Sequence, residues 1–131
     1  MSKIYEFLKT AGVFFIATEE GEQARVRPFG LVFEFDDKLY FGVGDFKPSY
    51  AQLRANPKFE ISAVKNNNSE WLRLSAEAVF DNRPEAVEQA FRILPYLRDS
   101  YPENGEHKLA VFYADKIEAY AYDLSGKKEK L

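Results

Sequence analysis

Cysteine is absent from the 131-residue chain, and histidine, tryptophan and methionine occur once each. Without cysteine there is no disulfide framework, no thiolate nucleophile and no thiolate metal ligand. His107 stands in a polar loop with no second histidine to share a metal, so no metal centre is expected. A Ser-His-Asp assembly would have to recruit that same histidine, and no serine carries a nucleophile-elbow motif. No Walker A or Gly-x-Gly-x-x-Gly occurs, and Gly42-Val43-Gly44 is too short to count as one. No apolar run approaches the roughly 18 residues that a membrane helix needs. The opening SKIYEFLKTAG is amphipathic and broken by charge, unlike a secretory signal. With 18 basic and 21 acidic residues well mixed and a net charge of -3, the basic excess of a nucleic-acid binder is missing. A soluble, cytoplasmic protein is the expectation, with neither a membrane nor nucleic acid as partner.

Aromatic residues are what the chain has in quantity. They make up 16% of it, with twelve Phe and eight Tyr, and this favours strands over helices. The length suits one domain over residues 1–131, able to bury roughly 70% of its unfolded surface. Ile4, Phe7, Leu8 and Ala11 form one helical face, with Ser2 to cap it and Gly12 to end it. Strand patterns follow at Val13 to Thr18, Arg25 to Phe29, Leu31 to Phe35 and Leu39 to Val43, the last two joined by an Asp36-Asp37-Lys38 turn. Pro28 places its strand at a sheet edge or a bulge. Ser49-x-x-Gln52 matches a capping box opening a helix that must stop near Asn56, before Pro57. Phe59 to Val64 and Trp71 to Phe80 read as further strands. A helix from Pro84 carries the stripe Val87, Ala90, Phe91 and Leu94, and Leu109 to Tyr113 and Ile117 to Asp123 close the pattern before a frayed tail. Six or seven strands with three short helices predict a closed or split barrel.

One stretch concentrates donors. Arg25 and Arg27 fall on the same strand face, and like charges so placed call for a counter-anion. Glu34 or Glu60 on a neighbouring strand can supply it, and so can a bound ligand. Lys47 and Ser49 lead into a helix start, where unpaired N–H groups and a partial positive charge seat a phosphate. The alternative is that Ser49 is a plain cap and Lys47 a solvated charge. Gly42 and Gly44 would let a planar ring lie against bare backbone. Trp71 and Arg73 occupy the polar face of their strand, so that Trp71 either packs under the Val87–Leu94 helix or meets a ligand or second subunit.

The segments GVFFIAT, RVRPFG, KLYFGVGDFKPSYAQLRANPKFEISA and EWLRLSAEAVF, in that order, resemble the pyridoxamine 5′-phosphate oxidase-like superfamily of FMN-binding split barrels, in its small bacterial branch near the nitroimidazole-resistance proteins. The resemblance spans nearly the whole chain and implies a mainly β fold: a six-stranded antiparallel split β-barrel with short flanking helices, paired as a homodimer with FMN at the interface. It also implies that Arg25, Arg27, Pro28 and Phe29 border the flavin and that Val43 and Gly44 offer backbone to its ring. Lys47, Ser49 and, less directly, Gln52 take the phosphate. Trp71 and Arg73 reach the cofactor from the partner subunit. The function implied is a flavin-dependent oxidoreductase moving electrons from a reduced nicotinamide, NAD(P)H, to a small acceptor. Its alternatives are a non-catalytic flavin or haem carrier and a ligand-free dimerisation module, and a deazaflavin could replace FMN. Departures from the oxidase proper are visible. The chain ends YAYDLSGKKEKL, without the oxidase's terminal arginine and histidine, and Gly30 stands near the place of a lysine in its arginine-containing strand. Pyridoxamine phosphate oxidation is therefore not implied.

Overall fold

The computed structural model describes residues 2–131, whose secondary structure comprises four helices and eight strands. Helix α1 (Ser2–Ala11) buries Ile4, Phe7 and Leu8, and it stops where Gly12 turns to φ +81° and returns its N–H to Leu8 O at 3.0 Å. The capping role expected of Ser2 lies outside the described side chains. Strands β1 (Phe14–Glu20) and β2 (Gln23–Phe29) form a hairpin around Gly21-Glu22, longer on both arms than the sequence suggests. Next come β3 (Val32–Phe35) and β4 (Lys38–Gly44), joined by Asp36 and Asp37 at φ 57° and 59°. Two successive left-handed residues give the tight turn that fits the twist of a hairpin.

Helix α2 (Pro48–Ala55) leads to β5 (Lys58–Lys65), the left-handed run Asn66-Asn67-Asn68, and β6 (Glu70–Phe80). Helices α3 (Pro84–Ile93) and α4 (Leu97–Ser100) precede β7 (Leu109–Asp123) and β8 (Lys128–Lys130). Two expectations are corrected here. The last two strand segments are one bent strand: Lys116 adopts φ 54°, and the register with β6 shifts between Ser75 and Glu77. The tail is also tied down. Lys128 to Lys130 pair with Tyr120 to Tyr122, and Leu131 N–H reaches Ala119 O at 2.9 Å.

All pairings are antiparallel in the order β2-β1-β5-β6-β7-β4-β3, with β8 on β7. β2 and β3 are the two ends of that order and do not pair, which leaves the barrel split. β2 is an edge strand, the position that Pro28 requires. Inside the barrel Phe41 gathers Phe14, Phe59 and Phe112 at 5.7, 6.0 and 5.6 Å. A second cluster lies outside, where Ala86, Ala90 and Phe91 of α3 cover Leu31, Phe33, Tyr40, Leu109 and Val111. β4 is thus buried on both faces, with Leu39, Phe41 and Val43 inward and Tyr40 under the α3 cluster.

Candidate functional site

A cleft of about 280 Å³ opens beside the Gly30-Leu31 link, where the barrel is split. Arg27, Pro28 and Phe29 form one wall, Val43 and Gly44 the floor, and Lys47 and Ser49 the end at α2. Most of the donor stretch read from the sequence thus converges on one place. The remaining wall was not foreseen: Leu94, Tyr96, Leu97 and Tyr101 come from the segment around α4. That helix is four residues long and shows no periodicity to detect.

Arg27 is half-buried, and every acceptor it finds among the described residues is neutral. Its Nη1 donates to Ile16 O at 3.1 Å and to Thr18 Oγ1 at 2.8 Å, and its Nη2 to Gln52 Oε1 at 2.7 Å. Thr18 closes the triangle by donating to Gln52 Oε1 at 2.6 Å. Burial first, and the Arg25 charge second, hold the Arg27 guanidinium below its ordinary value. Arg25 instead pairs with Glu20 at 2.9 Å and does not line the cleft. The expected counter-charges are corrected too, since Glu60 faces Arg73 at 3.6 Å and Glu34 forms no ion pair among the described residues.

The capping box is not formed. Pro48 occupies the first helical position and moves the cap back to Lys47, which makes no side-chain cap bond. Ser49 is buried at 6% exposure, and its hydroxyl has no hydrogen-bond partner in the chain among the described residues. Pro48 has no N–H, and that of Tyr50 closes on Lys47 O at 3.0 Å, so the Ser49 N–H is the helix donor left for a ligand. Lys47 Nζ lies 5.3 Å over the Phe46 ring and pairs with no carboxylate among the described residues. Gln52 supports the site from behind, through Arg27. Among the described residues no aspartate or glutamate lines the cleft, which holds Arg27 and Lys47. Such a cleft favours an anion.

The glycine floor is less open than expected. A Cβ at Gly44 would come within 2.6 Å of the Tyr101 hydroxyl and 2.7 Å of Phe46 Cε1, and one at Gly42 within 2.5 Å of Leu31 Cδ2. A planar ring could therefore reach this backbone only by displacing Tyr101 or Leu31. Burial, helped by the Asp45 charge, raises the Tyr101 phenol above its ordinary value.

Trp71 and Arg73 lie elsewhere. Register places Phe15, Ser62, Arg73 and Tyr120 in one row and Val64, Trp71 and Tyr122 in another, all on the outward face of the sheet. Trp71 stacks on Tyr122 at 5.6 Å and 9°, and the α3 packing considered for it does not occur. This face also exposes Val26 at 66%, Phe15 at 46% and Val64 at 41%. His107 does not line the cleft, and its ring packs 4.3 Å from Phe46, beside the Gly44 floor.

Neither a family model nor a curated protein matches the chain. Solved structures do, and they define its class. A pyridoxamine 5′-phosphate oxidase-related, FMN-binding protein from Nostoc punctiforme superposes with a TM-score of 0.71 at 14% identity, over 98% of this chain and 86% of its own. The haem storage protein of Vibrio cholerae gives 0.66 at 13%, over 88% and 91%. At such identities these likenesses establish the split-barrel fold alone. A NimC/NimA family protein from Clostridium acetobutylicum is 40% identical, with a TM-score of 0.93 over 100% of this chain and 90% of that one. The chain belongs to the NimC/NimA family.

Proposed function

We propose that the cleft binds FMN and that the chain is a flavin-dependent oxidoreductase, passing electrons from a reduced nicotinamide to a small acceptor. The observation that carries this reading is the pairing of half-buried Arg27 with Lys47 in a cleft lined by no carboxylate. A phosphate monoester, with about -1.5 to -2 charges and several strong acceptor oxygens, matches that donor set. Lys47, the Ser49 hydroxyl and the Ser49 N–H would hold it, and Arg27 would balance its charge. The likeness to an FMN-binding protein from Nostoc punctiforme supports the choice of flavin. When bound, the flavin supplies the redox chemistry, and the chain supplies binding, orientation and exclusion of water.

The cleft of one chain, about 280 Å³, falls just below the roughly 300–1,000 Å³ typical of ligand pockets. A second copy would enlarge it. The outward face bearing Phe15, Val26, Val64 and Trp71 is the apolar surface suited to a homodimer, and Trp71 and Arg73 would then meet the partner's cofactor. Haem carriage is the weaker reading, because no histidine lines the cleft. Lys47→Ala tests the site: FMN affinity should fall more than riboflavin affinity, as only FMN carries the phosphate. Equal losses for the two would remove Lys47 from the phosphate seat. Consumption of NAD(P)H with a quinone acceptor separates the oxidoreductase from a carrier.

A further inference from the structure

The space left by the missing side chain of Gly44 is taken by a polar atom. A Cβ there would first meet the Tyr101 hydroxyl, at 2.6 Å, whereas one at Gly42 would first meet methyl groups of Leu31 and Leu109. The segment that carries this hydroxyl is fixed on both sides. Tyr101 closes α4 by donating its N–H to Leu97 O at 2.9 Å, and the next residue, Pro102, accepts the Gly105 N–H at 2.9 Å. The Tyr101 ring lies 6.5 Å from that of Phe46, which also closes over Gly44.

The positioned hydroxyl has no partner. Its oxygen forms no hydrogen bond among the described residues, whereas the Tyr40 hydroxyl donates to Asp81 at 2.7 Å. Nor is the oxygen sealed in the interior. Among the described residues no unpartnered polar side-chain atom is fully buried, so the Tyr101 oxygen opens to a space, and the space beside Gly44 is the cleft. A tyrosine hydroxyl can donate one hydrogen bond and accept others. Arg27 and Lys47 suit the anionic end of a ligand, while Tyr101 stands on the α4 wall and offers the cleft an uncharged donor.

We propose that the Tyr101 hydroxyl donates a hydrogen bond to the edge of the flavin ring and thereby raises the potential at which the cofactor is reduced. The inference rests on the FMN reading of the cleft. A ring lying flat on Gly44 would have to expel this hydroxyl. A ring that turns an oxygen or nitrogen edge toward it supplies the acceptor that the hydroxyl lacks, and the donor is already in place before the ligand arrives. Reduction adds electron density to the ring, so a donor at its edge holds the reduced form more tightly than the oxidised one.

Tyr101→Phe tests this, because it keeps the aromatic ring beside Phe46 and removes only the oxygen. Fluorescence titration of flavin-free protein should show FMN and riboflavin both weakened about 2- to 10-fold, by the same factor, since the two share the ring. The FMN-loaded variant should show a shifted visible absorbance band and a lower midpoint potential, read by equilibrium reduction against a dye. Its melting temperature without flavin should equal that of the parent, as the hydroxyl is bonded to nothing in the chain. A clearly lower one would make the hydroxyl a brace of the fold and overturn the inference. Weakened FMN with unchanged riboflavin would move Tyr101 to the phosphate and overturn it as well. Parent-like affinity for both flavins, with band and potential unchanged, would overturn this inference alone. A parent protein that takes up no FMN would overturn both it and the reading beneath it.

Discussion

Replacing Arg27 by methionine separates a ligand-binding arginine from a structural brace. Arg27 donates to Ile16 O, Thr18 Oγ1 and Gln52 Oε1, all uncharged. A net hydrogen bond is worth about 0.5–1.5 kcal/mol, so three acceptors would seem to make removal expensive. Two features offset that loss. Thr18 and Gln52 keep each other at 2.6 Å, so neither is orphaned, and the substitution removes a half-buried charge that has no counter-ion. The methionine retains most of the apolar stem. The ligand-free protein should therefore change by only about 1 kcal/mol, a melting shift of roughly 3–5 °C for this chain length. FMN affinity should respond differently. Losing the half-buried charge that balances the phosphate, worth about 1.5–3 kcal/mol, lowers it by about 10- to 100-fold. Differential scanning fluorimetry without flavin and fluorescence titration with it measure the two effects on one preparation. A ligand-free protein destabilised by more than about 3 kcal/mol, with FMN affinity within twofold of the parent, would refute the reasoning.

Asp81 provides a pH signature. Arg83 hydrogen bonds hold its carboxyl down at about 2 against the opposing effect of burial, and the Tyr40 hydroxyl assists. A folded value below the unfolded one adds stability that is complete above about pH 4 and is lost as pH falls toward 2. Asp81→Asn should flatten acid unfolding in that window and cost about 1–2 kcal/mol at neutral pH, a figure reduced because Arg83 is solvent-screened. An unchanged slope between pH 4 and 2 would contradict this. Gly44→Ala should leave the fold intact, because Tyr101 and Phe46 can give way at their far ends, and should lower FMN affinity by filling the floor. Normal FMN binding by that variant would move the ring elsewhere. Val64→Glu, on the outward apolar face, should convert a dimer to monomers in light scattering, and a dimer that persists would clear that face of the interface.

How much of this was legible depended on local chemistry. Arg27, Lys47 and Ser49 could be grouped because a strand, a glycine turn and a helix start follow one another over a short span. Pro28 correctly marked an edge strand. The capping box failed because Pro48 outranks Ser49 for the first helical position, and Ser49 and Gln52 were then drawn into the interior. The α4 wall with Tyr101 was not readable, since a four-residue helix has no face to repeat. β7 looked like two strands because its bend at Lys116 interrupts the alternation, and only pairing with β6 on both sides shows it to be one. The tail pairs with β7 as a local hairpin, but its arm Lys128-Glu129-Lys130 is charged throughout and carries no apolar alternation to mark a strand. Trp71 was ambiguous because its neighbour Tyr122 comes from far along the chain.

The central claim is that the Arg27–Lys47 cleft is a flavin phosphate site. Titrating flavin-free protein with FMN and, in parallel, with riboflavin tests it most directly, read by the visible absorbance shift and fluorescence quenching. FMN should saturate at one per chain, with riboflavin binding at least about 10-fold more weakly for want of the phosphate. No spectral change with FMN, or equal affinity for the two flavins, would contradict the account.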